Sequence, residues 1–295
     1  MAAGMNDGAP IDLTLRAAQL DDALIAAVAG CVGTPPTASG PRIARWSSIA
    51  LDDAQRERIA ALADAAGADQ AMLAPNARLS DFAVLAMDMD STLITIECLD
   101  EIGDFVGRKD QIAAITEAAM RGEIADYKES LRRRVALLAG LDASALQRVY
   151  DERLRLSPGA RALVDAAHAA GLATLLVSGG FNYFTHRLQR ELGLTRVRSN
   201  ELEIAGGKMT GRVVGEIVDA TGKADALRTL CDELGVPTSR AIAIGDGAND
   251  LAMMKLAGLS VAYRAKPIVA AQASCAIRHG GLDAVLDFLG REMIG

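Results

Sequence analysis

Asp88 and Asp90 stand one residue apart at the end of an apolar run, in "FAVLAMDMDSTLI" (residues 82–94). In a strand, residues i and i+2 point to the same side. Two carboxylates held that close repel, and burial raises the cost. A bound divalent cation offsets it. Two other apolar runs end in a similar way. "LATLLV" leads into Ser178, Gly179 and Gly180, and "AIAIG" into Asp246, Gly247, Asn249 and Asp250. In a parallel sheet, ligands bind outside the carboxyl ends of the strands, so three such tips on neighbouring strands converge on one crevice. A single Asp or Ser after a strand is often only a helix cap or an Asx turn; three converging tips exceed what capping explains. The hard oxygens of Asp88, Asp90 and Asp246 suit Mg²⁺ rather than zinc or copper. Ser178 and the glycine amides after it read as the opening of a helix, a natural phosphate cradle. Lys223, in "TGKADAL" at a helix start, is a candidate for the neighbouring positive group, although an ordinary solvated lysine fits the spacing equally well.

The elements that must position these residues fall into three parts. Residues 1–80 read as a small α+β unit after a loose start at 1–10. Its strands are expected in "IDLTL", "RIARWSSIAL" and "ADQAMLAP", with helices between and a Pro/Gly/Ser loop, "GTPPTASGP". Residues 76–81 read as a linker. Residues 81–95 and 157–295 show repeated strand–helix alternation, which predicts an α/β core: a Rossmann-like parallel sheet with helices on both faces. A hairpin is expected in "ELEIAGGKMTGRVVGE". Residues 96–156 break into four amphipathic helical pieces separated by glycines, a helical insertion in the core.

Composition excludes several classes. The 295 residues carry a net charge of −7, which argues against broad binding to a nucleic-acid backbone. A metal and a few basic groups still allow a small anionic substrate. Apolar residues are 51% of the chain, enough for a sizeable core, while aromatics are 3%, so Ala, Val, Leu and Ile must build it. The four cysteines are scattered without ligand spacing, as expected of reduced thiols in a cytoplasmic protein. The three histidines are isolated, which disfavours zinc or a His-based triad. No run is long and apolar enough for a membrane span. GxxxxGK[ST] and GxGxxG are both missing, so neither a P-loop nor a dinucleotide site is expected.

Four ordered motifs then carry a resemblance. "DMDST", "VSGG", Lys223 and "GDGANDLAM" resemble, in order, those of the haloacid dehalogenase-type phosphatases, over about residues 82–295. Within that superfamily, "MDMDSTLI", "CLDEI", "SLRRRVALL" and "VSGGF" are similar to the phosphoserine phosphatases. The resemblance implies a Mg²⁺-dependent hydrolysis of O-phospho-L-serine to L-serine and phosphate, the last step of serine biosynthesis. It implies that Asp88 is the nucleophile forming an aspartyl-phosphate and that Asp90 is the general acid and then base. Mg²⁺ would sit on Asp88, the main-chain carbonyl of Asp90, and Asp246, with Asp250 in support. Ser178, the Gly179 amide, Lys223 and Asn249 would hold the phosphoryl oxygens. The helical insertion would act as a cap, with Glu97 meeting the substrate ammonium and Arg134 its carboxylate. Without the resemblance, Glu97 and Arg134 read as an ordinary charged helix face, and Arg132 and Arg133 adjoin Arg134. Tyr127 stands where the family commonly has Phe. Two alternatives share these features: a phosphotransferase that passes the phosphoryl group to homoserine or another small hydroxyl acceptor, and a non-catalytic regulatory protein. The oligomeric state and any ligand of the N-terminal unit have no signature in the sequence.

Overall fold

Strands apolar at every position belong in the middle of a sheet, while alternating ones belong where one face is less covered. The computed structural model, which describes residues 9–121 and 123–290, sorts its strands this way. In chain order they are β1 (Ile11–Arg16), β2 (Ala38–Ser39), β3 (Ile43–Ile49), β4 (Asp69–Leu73), β5 (Val84–Met87), β6 (Ala173–Phe181), β7 (Arg196–Ala205), β8 (Lys208–Val214), β9 (Ala241–Gly245), β10 (Leu259–Tyr263) and β11 (Cys275–Ile277). Among the described residues they form one 11-stranded sheet in the order β2-β3-β1-β4-β11-β10-β9-β5-β6-β7-β8. The six from β11 to β7 run parallel, and the flanking pairs are antiparallel.

β5 lies between β9 and β6, so the strand order reverses there. This is the switch point at which ligands bind in open α/β sheets. Its side chains alternate between two cores: Leu85 and Met87 face one layer of helices, Val84 and Ala86 the other. β9 divides likewise, with Ile242 and Ile244 opposite Ala241 and Ala243. The small alanines admit the helix Ala220–Leu234 on that side, through Leu227 and Leu230.

Between β5 and β6 lie the helices Cys98–Phe105, Lys109–Met120, Tyr127–Ala136 and Ser144–Arg148, the last continued by a wider turn over Val149–Arg153. The two ends of this insertion are held together. Ile94 bridges Leu156, Thr95 N donates to Arg155 O, and Ser157 N donates to Leu93 O. The insertion therefore leaves and re-enters the core through one narrow two-stranded neck.

The N-terminal unit packs Leu13, Leu15 and Trp46 against Val28 and Ile59 on two helices, Asp22–Val32 and Asp53–Ala65. Its strands continue the core sheet, because β4 pairs with β11 at Gln70 and Ala276. Two groups of charge-assisted hydrogen bonds reinforce this seam. The Asp69 carboxylate accepts the amides of Arg278, His279 and Gly280 at 2.7, 3.0 and 2.7 Å. Arg16 bonds Asp283 at 2.8 Å and Asp287 at 3.2 Å.

Several expected elements shift. The apolar run within residues 82–94 forms a strand only over Val84–Met87, and the chain turns just beyond Asp88. The hairpin strand expected from Glu201 begins at Arg196 and doubles as a core strand against β6. The Pro/Gly/Ser loop contains β2, which borrows the edge of β3. The helices after β9 and β10 are short, Leu251–Met254 and Pro267–Ala270. The loose start expected at 1–10 lies outside the described residues except for Ala9 and Pro10.

Removing Asp69 leaves three amides beside a buried arginine without their acceptor. Asp69→Ala is expected to lower stability by about 3 kcal/mol, read from urea unfolding. A loss below about 0.5 kcal/mol, as at an ordinary surface site, would show that the seam contributes little.

Candidate active site

The chain turns sharply just beyond β5. Asp88 N still donates to Ile244 O on β9, but residues 89–93 form a wide turn with Ser91 in the left-handed region at φ +54°. Asp88 and Asp90 are thus not paired on one strand face, as their i, i+2 spacing suggested. The turn sends them to different partners. Asp88 accepts its neighbour Met89 N at 2.7 Å and pairs with Lys223 at 2.7 Å. Asp90 accepts Cys98 N at 2.8 Å and Ser178 Oγ at 3.3 Å.

Lys223 sits on the fourth residue of the helix Ala220–Leu234, 1% exposed, so it is not a solvated lysine. Its ammonium bridges Asp88 and Asp250, each at 2.7 Å. Burial alone lowers an ammonium pKa, but these two carboxylates outweigh it and hold Lys223 above its ordinary value. Asp250, fully buried, also accepts Gly247 N at 3.0 Å. A Cβ at Gly245 would lie 2.4 Å from the Asp250 carboxyl carbon, so only glycine ends β9 without displacing it.

Asp246 accepts Thr92 Oγ1 at 3.0 Å. Asp88, Asp246 and Asp250 each offer an oxygen within 4.8 Å of the others, an arrangement that fits a divalent cation. Three carboxylates against one ammonium leave two negative charges when all are ionised. The electrostatics express that surplus. Burial, with Asp250, pushes the Asp88 carboxyl well above its usual range, against the pull of Lys223. Burial and Asp250 push Asp246 up to about 6. The Asp90 side chain stands outside this cluster; burial raises its pKa too, opposed by the Cys98 amide.

Ser178, Gly179 and Gly180 lie in the irregular end of β6, where the pairing with β7 shifts register. They do not open a helix, as expected; the helix begins at Asn182, once the strand has run on to Phe181. Ser178 Oγ accepts Gly180 N at 2.8 Å. Asn200, buried on β7, donates to Gly179 O at 2.7 Å and accepts Val218 N at 2.8 Å, fixing the glycine segment to the approach of the Lys223 helix.

Above these groups opens a cavity of about 650 Å³, with Asp88, Asp90, Gly179, Asp246 and Asn249 in its floor and the helical insertion as its other wall. Tyr127, Leu131 and Arg134 line that wall from one helix face. The neighbouring arginines turn away: Arg132 is exposed and Arg133 pairs with Glu129. Arg134 Nε is buried without a hydrogen-bond partner among the described residues. Glu97 reaches into the cavity mouth, where Ser91 Oγ donates to it at 2.6 Å. The surrounding protein, with Asp90, raises its pKa to about 7. The structure thus brings all the candidate residues to one crevice. Sequence reading missed Thr92, Asn200 and Cys98, whose contributions are a hydroxyl, a side-chain amide and a main-chain amide without motif spacing.

A family model described as haloacid dehalogenase-like hydrolase matches residues 85–255. The chain belongs to that family. Among its haloacid dehalogenase-like relatives is a phosphoserine phosphatase of Polaromonas sp. (strain JS666 / ATCC BAA-500), 58% identical over 219 residues, covering 73% of this chain and 93% of that one. Another, from Albidiferax ferrireducens, is 56% identical and covers 72% and 92%. A solved probable phosphoserine phosphatase from Vibrio cholerae superposes with a TM-score of 0.80 at 36% identity, covering 95% of this chain and 86% of that one. A substrate-bound phosphoserine phosphatase complex gives 0.66 at 32% identity, covering 71% and 99%.

Protons and a divalent cation compete for the acidic cluster. Without a cation, the raised Asp246 favours folding below its unfolded value of 3.8, and that contribution is lost as pH rises through about 6. Cation binding requires the ionised form, so its stabilising effect grows over the same interval. The rise in melting temperature on adding Mg²⁺ as a probe is expected to be larger at pH 7.5 than at pH 5. An equal rise at both would separate the cation from these carboxylates.

Proposed function

We propose that the protein is a Mg²⁺-dependent phosphoserine phosphatase, hydrolysing O-phospho-L-serine to L-serine and phosphate. The observation that carries this reading is a cavity with complementary ends. At one end Lys223, Asp88 and the Ser178–Gly179 segment meet; along the facing helix stands the partnerless Arg134 Nε. The naming of the relatives gives the same substrate.

In this reading Asp88 attacks phosphorus in line and becomes an aspartyl-phosphate as the serine oxygen leaves. Asp90, hydrogen-bonded to Cys98 N and Ser178, protonates that oxygen and then takes a proton from the hydrolytic water. Lys223, Ser178, the Gly179 amide and Asn249 hold the phosphoryl oxygens while charge redistributes. Asp88, the main-chain carbonyl of Asp90, and Asp246 would hold Mg²⁺, while Asp250 fixes Lys223 beside them. The cation supplies charge neutralisation at the transferring group. Glu97 receives the substrate ammonium and Arg134 its carboxylate. The division of labour follows the chain: residues 81–95 and 157–295 perform the chemistry, 96–156 cap it and select the substrate, and 1–80 form an N-terminal domain. The absence of a helix long and apolar enough to cross a membrane among the described residues is compatible with a cytoplasmic enzyme.

Asp88→Asn is expected to abolish phosphate release from phosphoserine in the presence of Mg²⁺; full activity would sink the mechanism. Arg134→Ala is expected to lower kcat/KM for phosphoserine by about 100-fold, the scale of a charge-assisted pair. Its effect on a phosphate ester lacking the amino-acid group should be much smaller, and an equal loss on both would remove Arg134 from carboxylate binding. Product analysis with added homoserine distinguishes hydrolysis, which yields free phosphate only, from transfer to that acceptor.

A further inference from the structure

The ring of Tyr127 packs against the apolar core, while its hydroxyl meets the cavity. No described residue shares a hydrogen bond with that hydroxyl. Tyr127 opens the helix Tyr127–Ala136, and Arg134 lies seven residues further along the same face. At 1.5 Å per residue, about 10 Å of helix separates their backbone positions. The hydroxyl belongs to the end floored by Gly179: a Cβ at that residue would lie 2.1 Å from the hydroxyl oxygen. Lys223, Arg134, Asp88 and Asp90 all act electrostatically on the phenol. The helix end is also tied to the core. Lys128 Nζ pairs with Asp219 at 3.1 Å, and Asp219 caps the helix that carries Lys223.

We infer that Tyr127 is a further substrate-contacting residue, whose hydroxyl donates a hydrogen bond to an oxygen of the phosphoryl group bound beside Gly179 and Lys223. The inference rests on the cavity being a phosphate-ester site, and it adds a contact from the insertion to the end otherwise served by the core. Burial keeps the phenol protonated well beyond neutral pH, so it acts as a donor throughout the working range. A donor there acts on every phosphate ester, whatever its alcohol. A donor at the far end acts only on esters bearing a matching head group.

Tyr127→Phe keeps the ring and removes the hydroxyl. Inorganic phosphate binding, measured calorimetrically with Mg²⁺ present, is expected to weaken about 3- to 10-fold, the range of one neutral hydrogen bond. Values of kcat/KM for phosphoserine and for glycerol phosphate should fall by a similar factor, with the melting temperature unchanged. Phosphate affinity and both rates within about 2-fold of the parent, less than the weakest such bond is worth, would overturn the inference. So would a loss confined to phosphoserine, because it would move the hydroxyl to the amino-acid end. The parent protein tests the underlying reading separately. If it binds phosphate through this hydroxyl but does not hydrolyse phosphoserine, the substrate assignment fails and the Tyr127 contact stands. If it has no phosphate affinity, both fail.

Discussion

The site depends on one buried ammonium. Lys223 touches Asp88 and Asp250 at equal distance, and without it three carboxylates, two of them buried, would face one another unneutralised. Burying such charges unpaired is costly enough that proteins neutralise them instead. Lys223 compensates only part of the charge, and the remaining surplus makes the cluster fit a divalent cation. The helix Ala220–Leu234 therefore has two tasks. It packs one face of the sheet through Leu227 and Leu230, and it delivers the charge that lets β5 and β9 end in acid.

Much of this was legible in the sequence because the chemistry sits at strand tips. Apolar runs fix where the strands lie, and whatever follows them must stand at the carboxyl edge of the sheet. What the spacing misjudged was backbone direction. Asp88 and Asp90 were rightly singled out, but on the premise of an extended strand. The chain leaves the extended conformation at Met89, between the two aspartates, so the second carboxylate turns toward Cys98 and Ser178. The Ser178–Gly180 segment carried the opposite error: glycines suggested a helix start, while the strand continued past them.

Other features depend on contacts between distant segments, which no local pattern encodes. Three successive arginines cannot be ranked until the helix phase relative to the cavity is known; Arg134 then faces inward while Arg133 pairs with Glu129. Asn200 lies in "RVRSNELE", where its charged neighbours disguise a buried side chain. The joining of the N-terminal strands to the core was equally hidden, since β4 and β11 are far apart in sequence. The residues at that seam are polar, and polar residues at strand ends normally read as surface.

The seam also bears on the order of assembly. Arg16 and its partner Asp287 are separated by 271 residues, and Asp69 and Gly280 by 211. During synthesis the N-terminal unit leaves the ribosome long before the strand it must pair with. Until then β4 presents an open edge, the kind of surface that invites pairing between chains. Folding of this protein therefore includes a waiting period whose length is set by the rate of translation, and crowding of nascent chains is most hazardous during that interval.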